Sequence, residues 1–249
     1  MFHVFCENAR IPKIELTEIH RQAAETGIPQ IAYDIRSGIC PKLNSFEGLG
    51  SGVSFIDCEF DNITGTIMDV VDSLGGFEEA QILSSLKRGK SGTETINRLA
   101  HEFETAGKQQ CMGFAPGEPV IWLQNDYDIG LMNGSMGVVN DVVDDVVDES
   151  LKIHWNPEGN IDIYDVTDLD HAYSITVHKA QGSQFSRVIV PVFHSKLLDR
   201  ALLYTAITRA QYQVVLIGDR NAFNTAVVEQ PNTSLRQTAM NYHMEAYSH

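Results

Sequence analysis

Short apolar runs alternate with stretches of helical spacing along this chain, and that order is what most limits the folds open to it. VSFIDCEF (53–60) reads as a strand, and NITGTIMDVVDSLGG (62–76) as a helix that stops at Gly75-Gly76. AQILSS (80–85) reads as a buried strand and GTETINRLAHEFETAG (92–107) as a helix with Thr93 near its start. Upstream, KIELTEIHRQAAETG (13–27) reads as a short strand passing into a helix. Such alternation predicts an α/β fold, a parallel sheet with helices on both faces, because parallel neighbours need a crossover that returns over the sheet.

The pattern changes between about 117 and 165. EPVIWLQNDYDIGLMNGSMGVVNDVV (118–143) alternates apolar and polar residues and carries Asn133-Gly134, the pair that favours a two-residue hairpin. This reads as a meander of antiparallel strands, inserted because strand and helix resume with AYSITVHKAQ (172–181), RVIVPVF (187–193), SKLLDRALLYTAITRA (195–210) and YQVVLIGD (212–219). The expected division is therefore 1–116 with 166–249 for the α/β part and 117–165 for the insertion. The tail after about 230 has no clear periodicity.

Composition sets bounds. The chain of 249 residues, 43% hydrophobic and 20% charged, can bury a substantial core. A formal charge of −15 argues against a general electrostatic nucleic-acid binder but is compatible with a local basic groove. The densest acidic stretches, DVVDDVVDE (141–149) and DIYDVTDLD (162–170), interleave with apolar residues and read as solvated faces of the β insertion. There is no apolar run long enough for a membrane span, and MFHVFCENARIPK lacks a signal-peptide layout, so a cytoplasmic setting without membrane contact is expected. Cysteines 6, 40, 58 and 111 form no CxxC pair or zinc spacing; they are expected to be reduced, and no metal site is expected.

ITVHKAQGSQFSRVIV (175–190) leaves a strand through a polar loop with Gly182 at its apex and returns at once to an apolar run. At the carboxyl end of a parallel strand such a loop suits a ligand, with Gly182 allowing close approach and the amides of 181–183 facing an anion. A plain polar turn is the equal alternative. SSLKRGKSG (84–92) tempts a Walker A reading, but Ser84 stands where that motif requires glycine, and Leu86, Lys87 and Arg88 make a bulky interior for a phosphate loop. VVLIGD, ending at Asp219, is likewise a poor Walker B.

These segments together resemble a known family. ITVHKAQGSQFSRVIV followed by LLYTAITRAQYQVVLIGD resembles motifs V and VI of superfamily 1 DNA helicases of the RecD-like group (the exodeoxyribonuclease V alpha subunit type), with their UvrD-like C-terminal domain. ELTEIHRQ and IRSGICP resemble motif IV, ILSSLKRGKSGTETINRLAHE the basic-loop segment, and GEPVIWLQNDYDIGLMNGSMGVV the small β-barrel inserted in that domain. The resemblance implies a RecA-like second motor domain bearing a small antiparallel β-barrel.

By the same resemblance the parent is an ATP-dependent helicase, moving 5′ to 3′ on single-stranded DNA in recombination or repair. ATP with Mg2+ is held mainly by an N-terminal RecA-like domain that this sequence does not contain, in cis or in trans. The resemblance gives Arg209 as an arginine finger and Arg21 as a second γ-phosphate contact, with Gln22, Gly182, Ser183 and Gln184 lining the nucleotide cleft. The family often has glutamate where Gln184 stands. Thr176, His178 and Lys179 would meet the DNA backbone; beside the resemblance, Lys87, Arg88 and Lys90 form the dense basic cluster of the sequence, and Thr93 at a helix start would offer its hydroxyl and amide to a phosphate.

Each residue also has a plainer reading. Arg209 ends a helix, where a cation meets the helix dipole; Arg21 could pair with Glu18 or Glu25 on its own helix; His178 could be a core histidine; the basic loop could be merely solvated. Trp122, Tyr127 and Trp155 read as core of the insertion in preference to base-stacking platforms. The chain alone is expected to be inactive as an ATPase. Its rivals are a solitary module that binds nucleic acid or protein after losing its motor, and an independent P-loop enzyme built on Lys90.

Overall fold

The computed structural model describes residues 24–144 and 149–229. Strands numbered along the chain as β1 (Asn44–Ser45), β2 (Gly52–Asp57), β3 (Ala80–Ser84), β9 (Ser174–Thr176), β10 (Phe185–Val192) and β11 (Ala210–Gly218) pair in parallel, in the order β1-β2-β11-β10-β3-β9. Among the described residues five α-helices flank them: α1 (Ile28–Arg36), α2 (Ile63–Ser73), α3 (Thr93–Glu104), α4 (Arg200–Ile207) and α5 (Arg220–Val228). Val188, Val190, Val192, Val214 and Leu216 pack with α1, α4 and α5, while Ile189, Val215 and Ile217 pack with α2 and α3. Both faces of the central strands are buried, which is why RVIVPVF and YQVVLIGD read as continuous apolar runs.

Local signals account for most boundaries. α2 stops where Gly75 and Gly76 take φ 98 and 92, and the Gly76 amide donates back to Val71 O at 2.9 Å. α4 starts at Arg200, not at Ser195, because the Asp199 carboxylate accepts the Leu202 amide at 2.9 Å; that cap contributes about 1 kcal/mol. The sequence reading did not anticipate α1 and α5. In α1, Ile28, Ala32 and Ile35 form the buried stripe, but Pro29 and Gly27 make the segment look like a turn; proline is tolerated there because first-turn amides need no helical partner. The expected strand and helix over 13–27 fall largely outside the described residues, and Ala24–Thr26 is a 3-10 turn.

Gly218 closes the top of β11 with φ 146, and a Cβ there would lie 2.1 Å from Val192 O. The neighbouring Asp219 amide donates to that oxygen at 2.9 Å. Gly218→Ala is expected to destabilise the chain by about 2–3 kcal/mol, read as a lower urea midpoint; an unchanged midpoint would show that the β10 end can move aside.

The inserted strands are β4 (Pro119–Trp122), β5 (Met136–Asp144), β6 (Glu149–Trp155), β7 (Gly159–Ile163) and β8 (Leu169–His171), all antiparallel in the order β7-β6-β5-β4-β8. This corrects the expected barrel. Closure needs the two edge strands to meet, and among the described residues β7 and β8 do not pair, so the sheet is open. The Asn133-Gly134 turn is present, with the Ser135 amide on Met132 O at 2.9 Å. It is not a two-residue hairpin, however: the strands it serves end at Trp122 and begin at Met136, so it closes the far end of a longer connection.

The insertion has its own core, where Trp122 and Trp155 meet edge to face at 6.2 Å, with Val139, Leu151 and Ile153 around them. Ile121 points the other way, into the core of the parallel body. Asp141 and Asp144 are exposed beside buried Val142, as the acidic-face reading expected. Tyr127 departs from its core assignment: it is 76% exposed, carried on the long connection outside the sheet. Cys40, Cys58 and Cys111 are free thiols. Among the described residues no helix is long and apolar enough to cross a membrane.

Candidate functional site

Thr176 ends β9 level with Ser84 of β3, whereas Phe185 starts β10 below Ala80. Residues 177–184 must therefore return down the sheet, about 20 Å at ~3.3 Å per strand residue, without the helix that such a crossover normally contains. They do so as one helix-like turn: the Ala180 amide donates to Thr176 O at 3.1 Å, and Ser183 to Ala180 O at 3.1 Å. Val177 and Ala180 sink into the core and hold the turn down. His178, Gln181, Gly182 and Gln184 are left exposed, which rules out the core-histidine reading of His178.

The lower end of this turn meets Arg209. Phe185 N donates to Arg209 O at 2.9 Å, and the guanidinium donates through NH1 to Ser183 O at 3.3 Å. Arg209 is only 8% exposed and lies between α4 and β11, with its Nε on Thr205 O at 3.2 Å. The helix-end contact of the plainer reading is thus present, alongside the contact to the 182–184 turn. Gly182, Ser183 and Gln184 therefore gather with Arg209 at the amino ends of β10 and β11, not at the carboxyl end of a strand as the sequence suggested. Gly182 has φ 94 with open space where a Cβ would sit, so it serves the turn's conformation. The amides of Gln181 and Ser183 are used by His178 O and Ala180 O, which removes them as anion donors. Arg21 and Gln22 lie outside the described residues.

The other residues gather at the opposite edge. β3 and β9 are neighbours, so the loop after Ser84, bearing Lys87 and Arg88, stands beside Thr176, His178 and Lys179. Burial lowers the Lys179 pKa, Asp170 opposes that, and the charge of Lys87 adds to it; two cations from distant segments therefore share one field. The loop folds on itself. Ser84 Oγ donates to Ser91 O at 2.6 Å, and the Thr93 and Glu94 amides donate to Leu86 O and Lys87 O, each at 3.0 Å. The expected offer of the Thr93 amide to a phosphate is thereby corrected: that amide is occupied and Thr93 is buried. The loop's Leu86 and Gly92 amides are used internally, by Ser84 Oγ and Gly89 O, and Lys90 is turned to Asp61 at 2.5 Å, neither of which favours a P-loop, whose amides face phosphate. Asp219 caps α5 by accepting the Asn221 amide at 2.7 Å, which explains it without a Walker B role.

Residues 171–217, which include β9, the single-turn crossover, β10 and α4, match the family model of the UvrD-like helicase C-terminal domain. The ATP-dependent RecD2 DNA helicase of Deinococcus radiodurans is 28% identical over 238 residues, 92% of this chain and 32% of that protein. The chain is homologous to the C-terminal part of RecD-like superfamily 1 helicases. The RecD subunit of the RecBCD enzyme of Mycolicibacterium smegmatis is 31% identical over 166 residues, 65% of this chain and 29% of that subunit. The chain thus spans about a third of the length of these relatives. Among solved structures, a Bacteroides Pif1 helicase in complex with ADP-AlF3 and single-stranded DNA shares the fold, with a TM-score of 0.53 and 17% identity over 94% of this chain and 57% of that one.

The sequence reading missed the residues that hold this edge in place. Asn97 of α3 accepts the Ser174 amide at 2.6 Å and donates to His171 O at 2.8 Å, while Gln81 donates to Ala172 O at 3.0 Å. These bonds fix β9, and through it Thr176, against β3 and α3. A polar side chain inside an apolar helical stripe was the available signal for Asn97.

Proposed function

We propose that the chain is the second motor domain of an ATP-dependent, RecD-like DNA helicase acting on single-stranded DNA. One observation carries this reading: the pairing of β3 with β9 sets Lys87 beside Lys179 at one edge of the sheet, and the crossover from β9 leads directly to the Ser183–Arg209 contact at the other. The upper edge grips the phosphate backbone through Lys87, Arg88, Lys179, His178 and Thr176, and the charge of the two lysines and the arginine favours an anion despite the acidic whole. The lower edge presents Arg209, with Gly182, Ser183 and Gln184, to ATP and Mg2+ bound by a second RecA-like domain that carries the Walker loops. A planar, permanently charged guanidinium suits phosphate oxygens. By the resemblance Arg21 contacts the γ-phosphate and Gln22 the nucleotide, and 5′ to 3′ movement follows from it too. A crossover of one turn is short enough to pass a shift at Arg209 to the strand grip, so nucleotide state and grip change together.

Fluorescence anisotropy of a labelled oligo(dT) over a salt series tests the grip. Lys87→Ala and Lys179→Ala are each expected to weaken binding and to reduce the slope of log affinity against log salt by about 0.7 for each phosphate that the variant no longer neutralises. An unchanged slope in both variants would overturn the strand interface. The chain alone is expected to hydrolyse ATP negligibly; robust turnover that vanishes with Arg209→Ala would refute the shared pocket.

A further inference from the structure

A second cluster lies where the chain crosses between the two sheets. Glu118 stands in the turn that leads into β4, His171 ends β8, Tyr173 lies on the return to β9, and His101 is on the last turn of α3. Sixteen and fifty-two intervening positions separate His101, Glu118 and His171 in sequence, so no spacing rule would have grouped them. Glu118 is 0% exposed. Its Oε2 accepts the Ala115 amide at 2.7 Å, which aims Oε1 at the two imidazoles. That oxygen lies 2.7 Å from His101 Nδ1, 3.4 Å from His171 Nε2 and 2.8 Å from the Tyr173 hydroxyl. Burial works to raise the Glu118 pKa, but His171, His101 and Tyr173 outweigh it and hold the carboxyl below its ordinary value.

His171 is stacked on Phe114 at 4.5 Å, and its Nε2 is buried without a well-directed hydrogen bond. An unmatched buried nitrogen of this kind costs about 1–3 kcal/mol. A cation bonded to it would remove that cost.

We infer that His101, Glu118 and His171 form a divalent transition-metal site of the zinc class, which clamps helix α3 and both chain crossings at the junction of the two sheets. Two ligands on a tetrahedral ion at 2.0–2.1 Å stand about 3.3 Å apart. The His171–Glu118 separation of 3.4 Å already fits. His101 has to back away from 2.7 Å, and it is carried on the last turn of α3 with its side chain partly exposed. Two imidazole nitrogens and one carboxylate oxygen select zinc-like ions over Mg2+ and Ca2+, which take oxygen ligands. The site is therefore separate from any Mg2+ that accompanies ATP.

The test uses the whole chain after treatment with EDTA. Titration with Zn2+ by calorimetry, and with Co2+ by visible absorption, is expected to show a saturable site with the bands of tetrahedral cobalt, and Zn2+ is expected to raise Tm. His101→Gln and His171→Gln, each checked for fold by circular dichroism, are expected to weaken binding by about tenfold or more, at least the loss typical of outer-sphere changes. Excess Mg2+ is expected not to compete. No saturable Zn2+ binding, binding that survives both substitutions, or displacement by Mg2+ would each overturn the site.

Discussion

Arg209→Ala, assayed together with the RecA-like domain that carries the Walker loops, is expected to lower ATP turnover by about 10³-fold or more, the range for loss of an arginine that stabilises phosphoryl transfer. Arg209→Lys is expected to recover little, since a point charge cannot reproduce two parallel hydrogen bonds. The opposing reading has Arg209 do no more than terminate α4. Its bonds to Thr205 O and Ser183 O tie the helix end to the 182–184 turn, and loss of such bonds costs about 1 kcal/mol each. The two readings diverge in what the substitution removes. A contact to the transition state lowers kcat in protein that remains folded at the assay temperature and binds oligo(dT) without nucleotide as before. A purely structural arginine lowers Tm and leaves kcat per folded molecule intact, and that outcome would sink the shared-pocket reading.

How far the sequence could be read depended on the range of the interactions involved. β10 and β11 were legible because burial on both faces writes itself as an unbroken apolar run, and α2 because Gly75-Gly76 stop it locally. The motif residues 175–190 and 202–219 were legible through resemblance. Their arrangement was not: a loop leaving a parallel strand is expected to stay at the carboxyl end, yet Val177 and Ala180 anchor a turn that carries Gly182 to the amino edge beside Arg209. Openness of the inserted sheet was invisible for a similar reason, since alternation along β5 and β6 is the same in an open and a closed sheet. Thr93 looked like a free helix start because nothing nearby announces that Leu86 O returns to its amide. Glu118 was hidden most completely. A glutamate after Gly117 at a strand entrance reads as a solvated turn residue, and only the convergence of α3, β8 and Tyr173 makes it a buried acceptor.

That convergence predicts the largest effect on stability. Glu118→Ala, measured by urea unfolding in EDTA so that no metal contributes, is expected to destabilise the chain by about 3–5 kcal/mol, the range for removing one partner of a buried charged cluster. The substitution strands the buried Ala115 amide and Tyr173 hydroxyl around a cavity and takes the carboxylate from two partly exposed imidazoles. Glu118→Gln preserves volume but turns an amide NH2 toward donors, and about 2 kcal/mol is expected. The loss should reach the strand grip as well. His171 and Tyr173 immediately precede β9, and Asn97 holds that same return segment through His171 O and Ser174 N, so loosening Glu118 frees Thr176 and Lys179 from their register beside Lys87. Weaker oligo(dT) binding by Glu118→Gln at a temperature where it remains folded is therefore expected. Undiminished binding, with stability within about 1 kcal/mol of the parent, would show that Asn97 and Gln81 position the edge by themselves.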